Sequence, residues 1–276
     1  MKKALIILFV LVCSGIRAQN LVEWADPLAK FQVQNLDLIS LDTRDQIFVT
    51  TTTGDILLFD QAGKQINLYS PPRQGRLQQI EASWTVNIFS FSADLQEYRI
   101  LDRFLNPLSE NSFMLNDIVL PKAATLGNNT IVWVWDESDL SLKSLDYLRN
   151  NVLQTQPLNL ILDSENLSVS EIREFKNRLF MNFPQSGIFI FDNQGNYLQK
   201  VNLRIDQRLC FYRENLFWIE SGNLKRVSIG SKEIVDMGPL PSTGIISVQV
   251  GQEIIVLASR DQIEVYALPA SLRKLR

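Results

Sequence analysis

The chain has 276 residues, 46% of them hydrophobic, and carries a formal charge of −3 with no histidine. The lack of histidine excludes Ser-His-Asp and Cys-His nucleophilic catalysis and every His-ligated metal site. The mildly acidic charge argues against nucleic acid or an anionic membrane surface as the main partner, because both require a basic footprint.

Residues 1–18 have the pattern of a secretory signal. Lys2 and Lys3 precede an apolar run that ends at Val12, and Ala18 offers a small residue for cleavage. The run is too short to span a bilayer comfortably, so we expect residues 1–18 to be removed and the protein to be periplasmic or secreted. A lipid anchor through Cys13 is the less favoured alternative, because the residues before it depart from a bacterial lipobox.

Cleavage would change the properties of the remaining chain. It removes Lys2, Lys3 and Arg17 and no acidic residue, so the formal charge would move by three units from −3 to −6. Cys210 would be the one remaining cysteine, and we expect it to be a small buried side chain rather than a nucleophile. No second hydrophobic run reaches membrane length, so we expect no transmembrane span in the mature chain.

An apolar strand that closes on a short polar residue recurs six times along the chain. The copies are residues 56–60, 98–102, 142–146, 188–192, 224–228 and 263–267. Their ends are 42, 44, 46, 36 and 39 residues apart, the period of repeats that form one propeller blade each.

Further strands precede each of these six copies. One lies directly before each copy, across a short turn, at residues 47–53, 86–92, 130–136, 178–183, 216–221 and 253–259. Another lies upstream in at least four units, at residues 36–42, 77–83, 169–175 and 245–250. Their β-branched and aromatic composition is typical of strands. Together with a following outer strand, these elements predict four strands per unit.

Two units share a nearly identical hairpin. GDILLFDQAGKQINLYS begins at Gly54, and GIFIFDNQGNYLQKVNL begins at Gly187. We expect Asp60 and Asp192 to accept backbone N–H bonds in the turn, with Gly63 and Gly195 at positive φ. This interpretation makes both aspartates structural residues.

The last unit lacks an outer strand after Pro269, whereas residues 28–34 precede the first unit and have strand composition. Pairing residues 28–34 with the last unit would close a ring and remove its free sheet edges. In this respect residues 28–268 resemble the six-bladed β-propeller superfamily, including NHL-type and related bacterial exported propellers.

The resemblance implies an all-β fold of six four-stranded antiparallel blades, with a single domain over residues 19–276. A domain boundary within the polar residues 146–168 is the alternative, but the repeat continues on both sides. We therefore interpret that segment as a long loop or the outer strand of the third blade.

Candidate site residues are few. Asp37, Glu81 and Glu171 lie on predicted first strands, where acids from different blades could converge around a central channel. Trp84 lies in a connection, where it could stack on a sugar or anchor a protein. Residues 136–139 hold three acids but lack the spacing of a calcium loop, so we expect a solvated turn and no metal. The basic tail from Ala267 is expected to be a solvated end.

Two functions remain open. We expect a non-catalytic scaffold that binds a protein partner in the bacterial cell envelope, by analogy with propellers that accompany outer-membrane assembly machinery. The alternative is a carbohydrate-binding or carbohydrate-processing propeller that uses channel carboxylates and aromatic residues. The 12 glycines form no phosphate-cradling pattern, so we expect no nucleotide site. We therefore expect no cofactor under either hypothesis.

Overall fold

The structure is a computed structural model that describes residues 21–82, 87–128, 130–162 and 167–275. These residues form six antiparallel sheets of four strands each. Blade 1 consists of β2 (Leu36–Leu41), β3 (Ile47–Thr51), β4 (Ile56–Phe59) and β5 (Gln65–Tyr69). Blade 2 consists of β6 (Gln79–Glu81), β7 (Asn87–Ser92), β8 (Glu97–Asp102) and β9 (Pro107–Ser112). Blade 3 consists of β10 (Pro121–Leu126), β11 (Ile131–Asp136), β12 (Ser141–Asp146) and β13 (Asn151–Pro157).

The other three sheets follow the same plan. Blade 4 consists of β14 (Glu171–Phe175), β15 (Arg178–Phe183), β16 (Gly187–Asp192) and β17 (Tyr197–Val201). Blade 5 consists of β18 (Cys210–Tyr212), β19 (Asn215–Glu220), β20 (Asn223–Ser228) and β21 (Ile234–Pro239). Blade 6 consists of β22 (Ser247–Val250), β23 (Ile254–Ala258) and β24 (Gln262–Ala267), together with β1 (Ala29–Gln32). The segment 146–168 supplies β13, the outer strand of blade 3, as interpreted from the sequence.

Strand β1 closes the ring. It pairs antiparallel with β24, with Ala29 opposite Val265 and Gln32 opposite Gln262. The predicted closure by residues 28–34 is therefore confirmed, and the chain folds as a six-bladed β-propeller. Closure satisfies the backbone groups of β24 that would otherwise form a free edge.

The core is divided among the interfaces between neighbouring blades. Six clusters of buried apolar residues occur in the described chain, and each joins two adjacent blades. Trp133 and Trp135 of blade 3, for example, pack with Leu179 and Met181 of blade 4. Full burial of such a side chain contributes about 1.5–3 kcal/mol. The second and third strands of blades 1 to 3 lie between two neighbouring blades and are mostly buried, whereas the outer strands β5, β9 and β13 are largely exposed.

The repeated aspartate hairpin has the predicted geometry. The Asp60 carboxylate accepts the N–H groups of Ala62 (3.0 Å) and Lys64 (2.8 Å), and Asp192 accepts those of Gln194 (2.9 Å) and Asn196 (2.8 Å). Asp42 and Asp102 form the same turn, with hydrogen bonds to the N–H groups two and four residues later.

The fourth residue of each of these turns adopts positive φ. It is Gly63 (77°) or Gly195 (83°) in the two predicted hairpins. In the other two it is Asp45 (60°) or Leu105 (67°). A Cβ on Gly63 would lie 2.6 Å from Cδ1 of Phe31 in β1, so this hairpin lies directly against the closing strand.

Asp45 makes a second connection between the first and last blades. Its carboxylate accepts the N–H groups of Gln252 at 2.6 Å and Glu253 at 2.7 Å, in the turn between β22 and β23. A Cβ on Gly251 would lie 2.1 Å from Oδ1 of Asp45, so glycine permits this approach. Burial raises the pKa of Asp45, although the two N–H groups oppose that shift.

Both ends of the described chain pack against the ring. Val22 is buried and donates its N–H to Met237 of blade 5, while the Trp24 indole donates to the Pro239 carbonyl at 2.9 Å. The expectation of a solvated C-terminal tail is wrong, because α1 (Ala270–Arg273) buries Leu272 fully in the cluster between blades 5 and 6. Burial of the Leu272 side chain stabilises the docked helix, even though the segment is basic.

The single cysteine among the described residues is buried, as expected. Cys210 is 1% exposed, and burial raises the pKa of its thiol to about 12. A thiol with this pKa is not a nucleophile at neutral pH. No helix among the described residues has the length and apolar character needed to cross a bilayer.

Candidate binding site in the central channel

The first strand of each blade lines a central channel. The strands β2, β6, β10, β14, β18 and β22 approach one another around the axis, and polar side chains occur on several of them. The channel has a narrow throat and a wider mouth. The mouth lies where β2, β14 and β22 begin, so the connections before the first strands also contribute to it.

The throat brings together two of the predicted acids. The Gln79 amide donates to Glu81 Oε1 at 2.6 Å and lies 3.4 Å from Glu171 Oε1, so one amide links blades 2 and 4 across the channel. Glu171 Oε2 accepts the N–H of Leu209 at 2.8 Å. Both carboxylates are therefore held by groups of the protein itself, in positions that are almost fully buried.

Burial raises the pKa of two glutamates in and near the throat. Burial raises the pKa of Glu81, against the opposing charge of Arg173 and the hydrogen bond from Gln79. Burial also raises the pKa of Glu174 to about 7; the N–H of Asn177 lowers it, and the charge of Glu81 raises it further. Removing a carboxylate from water penalises its charged form, which accounts for both shifts.

The mouth is a cavity of about 420 Å³. Asp37 lies in its wall and forms a bidentate salt bridge with Arg76, with oxygen–nitrogen distances of 2.8 Å and 2.9 Å. The wall is formed by Asp37, Leu38, Ile39, Arg76, Ser170, Glu171, Asp206, Gln207, Arg208, Ile246, Ser247 and Gln249. A bidentate Arg–carboxylate pair fixes the orientation of both groups.

Two residues that line both the mouth and the throat have side chains without a partner among the described residues. Arg208 and Gln249 line both spaces. Both are half-buried, and their side chains form no hydrogen bond or ion pair with a described residue. Ser247, also in the mouth, likewise has no hydrogen bond through its hydroxyl to the described part of the chain.

The predicted site residues have different positions. Asp37, Glu81 and Glu171 all line the channel, with Asp37 at the mouth and the two glutamates at the throat. Trp84 lies outside the described residues. Sequence reasoning missed Arg76 and Arg208, although both are basic residues placed just before a first strand in separate repeats.

The acidic turn 136–139 differs from the expected solvated turn. Asp136 is fully buried and accepts Lys143 Nζ at 2.7 Å, while Lys143 also pairs with Asp139 at 2.9 Å. Burial opposes ionisation, but the hydrogen bonds from Lys143 and Ser138 lower the pKa of Asp136 to about 2. The Lys143 ammonium group thus lies between the two carboxylates, where a bound metal cation would have to lie. In the described residues, no three or more acidic or cysteine side chains are grouped to hold a metal ion.

An exposed apolar surface lies next to this turn. The Leu120 N–H donates to Asp136 Oδ1 at 3.0 Å, and the Leu158 N–H donates to the Leu140 carbonyl at 2.9 Å, so the segments 113–120 and 158–161 bind opposite ends of the turn. Their outward side chains form what we call the blade-3 apolar surface: Met114 (66% exposed), Leu115 (72%), Val119 (62%), Leu160 (81%) and Ile161 (41%).

Solved structures share this fold at low sequence identity. The β-propeller domain of Cps50 (Swd1) from Myceliophteria thermophila has a TM-score of 0.62 and 9% identity, over 90% of this chain and 99% of that chain. A streptogramin B lyase has a TM-score of 0.59 and 11% identity, over 87% and 97%. The Pan2 WD40 domain of Neurospora crassa has a TM-score of 0.57 and 11% identity, over 86% and 79%.

No protein-family model and no curated protein matches the sequence. The structural likenesses therefore define the class, a six-bladed β-propeller, and they assign no activity.

Proposed function

We propose that this protein is an exported, non-catalytic β-propeller that binds a protein partner in the bacterial cell envelope through the blade-3 apolar surface. The observation that carries this proposal is the exposure of five apolar side chains on two segments that are hydrogen-bonded to opposite ends of one turn. Large exposed apolar side chains are typical of interaction sites where they form a patch on a folded protein. Export rests on the signal predicted for residues 1–18.

The charge around this surface defines the chemistry of the partner. Asp117 is exposed beside Met114 and Leu115 and forms no ion pair with a described residue. The chain as a whole is also acidic. A partner segment with apolar side chains flanked by lysine or arginine would complement this surface, because opposite charges accelerate encounter and exclude acidic competitors.

The channel supports a non-catalytic function. The two acids of the throat are engaged by Gln79 and by the Leu209 N–H. The carbohydrate alternative is not favoured by the mouth, because its described lining residues include no aromatic side chain on which a sugar ring could stack.

Site-specific photo-crosslinking tests the docking surface. A benzophenone amino acid at Leu115 should form a discrete crosslink to one partner in the exporting organism. The same group at Leu198, which is exposed on β17 of blade 4, should form none. With the purified partner, Leu115→Ser and Leu160→Ser together should weaken binding by about tenfold or more, as at interface hot spots.

Two outcomes would contradict the proposal. One is a crosslink that forms equally from position 198, and the other is a crosslink to a second copy of this chain. An unchanged affinity of the double variant, with an unchanged melting temperature, would also exclude the blade-3 apolar surface as the contact.

A further inference from the structure

We infer that the mouth of the channel is a binding site for a ligand that presents a single carboxylate group, with Arg208 as its principal contact. The site is separate from the blade-3 apolar surface and does not depend on it. The inference follows from the balance of donors and acceptors in the cavity wall, from its charge and from its volume.

Two of the three acids of the wall, Asp37 and Glu171, already accept hydrogen bonds from the protein. Both oxygens of Asp37 bind Arg76. Of the two oxygens of Glu171, one accepts the Leu209 N–H at 2.8 Å and the other lies 3.4 Å from the Gln79 amide. Both oxygens of each of these two carboxylates therefore already accept a hydrogen bond from the protein, which leaves less capacity for a ligand.

Three other polar groups of the wall can donate hydrogen bonds. The Arg208 guanidinium, the Gln249 amide and the Ser247 hydroxyl form no hydrogen bond with the described part of the chain. A guanidinium has five N–H donors and no acceptor, and its planar fork matches the two oxygens of a carboxylate. Donors in a cavity wall that have no partner among the described residues indicate a ligand rich in acceptors.

Charge selects a monoanion over a dianion. The wall holds two cations, Arg76 and Arg208, and three acids, Asp37, Glu171 and Asp206, so its formal charge is 2 − 3 = −1. The Arg208 guanidinium, which pairs with no described acid, can neutralise one carboxylate, whereas a phosphate dianion would face the remaining negative charge. Asp206 is exposed at the rim and would add to that repulsion.

The volume sets the scale of the ligand. The cavity of about 420 Å³ lies at the lower end of the range of small-molecule pockets, about 300–1,000 Å³. A small organic acid or the last residues of a peptide fits this space. The throat below the cavity has a volume of about 10 Å³. This space is too small for the ligand, so its carboxylate would lie beside Arg208, at the boundary between mouth and throat.

Nuclear magnetic resonance titration of the full chain tests the site with defined probes. The probes are glutarate monomethyl ester, acetyl-trialanine with a free C-terminus, the same peptide with an amidated C-terminus, and inorganic phosphate. We expect saturable binding of one or both carboxylate probes, and no saturable binding of the amide or of phosphate. Binding of the ester alone identifies a small organic acid, whereas tighter binding of the peptide identifies a peptide C-terminus.

A matched pair of variants isolates the guanidinium. Arg208→Gln should weaken the carboxylate probe by at least about tenfold, as expected for loss of a charge-assisted bidentate contact. Arg204→Gln lies in the same connection but is exposed outside the cavity wall, and it should bind like the wild type. Both variants should retain the wild-type melting temperature.

The inference is overturned if no carboxylate probe binds, if the amidated peptide binds as well as the free acid, or if phosphate binds more tightly than either carboxylate. An equal loss of affinity in Arg204→Gln and Arg208→Gln would also overturn it, because that result indicates general electrostatic attraction. None of these outcomes bears on the blade-3 apolar surface.

Discussion

At the scale of single residues, the aspartate of the repeated hairpin is a structural device. Asp42, Asp60, Asp102 and Asp192 each accept two N–H groups within their own turn. Side-chain oxygens that bind turn N–H groups replace bonds that the ladder cannot supply at a strand end. The aspartate turn therefore ends one strand and sets the register of the next.

We expect Asp60→Ala and Asp192→Ala each to lower the free energy of unfolding by about 1 kcal/mol, because each loses hydrogen bonds to two turn N–H groups. Urea denaturation of the two variants measures the effect. Asp261→Ala, at an exposed position without a side-chain partner in the described chain, should be nearly neutral. If one variant lost partner or ligand binding while keeping full stability, the structural role of that aspartate would be disproved.

Glu174 should make stability depend on pH. Its pKa is about 7 in the folded protein and 4.5 in the reference state. The native state therefore binds more protons than the unfolded state between these values, so this contribution is fully present below about pH 4.5 and is lost as the pH rises through about 7. The loss should be on the order of 3 kcal/mol, since the pKa rises from 4.5 to about 7 and each pKa unit corresponds to about 1.4 kcal/mol.

Urea midpoints across this pH range check the prediction. Glu174→Gln should remove the decline, whereas Glu233→Gln, which changes an exposed acid, should leave it unchanged. Parallel pH profiles for the wild type and Glu174→Gln would show that other groups cause the dependence.

At the scale of elements, closure of the ring depends on β1. Phe31 packs on Phe59 of blade 1 with ring centroids 4.7 Å apart, and Lys30 pairs with Glu264 of β24 at 3.2 Å. The strand therefore contacts the first and last blades together. Its removal would expose the edge of β24 and the apolar residues at this interface.

A chain that begins at residue 35 should consequently be unfolded or aggregated, as judged by circular dichroism and size-exclusion chromatography. A synthetic peptide of residues 21–34 should restore the folded state when added in trans, because it supplies the missing strand. A truncated chain that keeps the wild-type melting temperature without the peptide would show that β1 is dispensable.

The elements were predictable where the repeat is explicit. The six strand ends and the missing outer strand of the last unit predicted both the blade number and the closure by β1. The hairpins at Asp42 and Asp102 escaped prediction because Asp45 and Leu105 occupy the position that glycine marks elsewhere. The docking of α1 was missed because a single buried residue, Leu272, decides it.

At the scale of the whole molecule, the site was only partly predictable. Asp37, Glu81 and Glu171 could be placed at the channel because they lie on first strands, which a propeller turns towards its axis. The availability of Arg208 could not be predicted, since it depends on which groups of other blades reach it. Arg76, the other basic residue before a first strand, is occupied by Asp37, which lies 39 positions earlier in the chain.

The pairing of β1 with β24 also has a consequence for the timing of folding. During synthesis Ala29 leaves the ribosome long before Val265, its partner in the closing sheet. The hydrogen bonds from the N–H groups of Gln252 and Glu253 to Asp45 likewise cannot form until those residues have been synthesised. Each of the first five blades draws all its strands from neighbouring sequence and can form as it emerges, but the ring cannot close until the sixth has been made. A chain that still lacks the sixth blade is therefore an open arc, and ring closure is the last step of its folding.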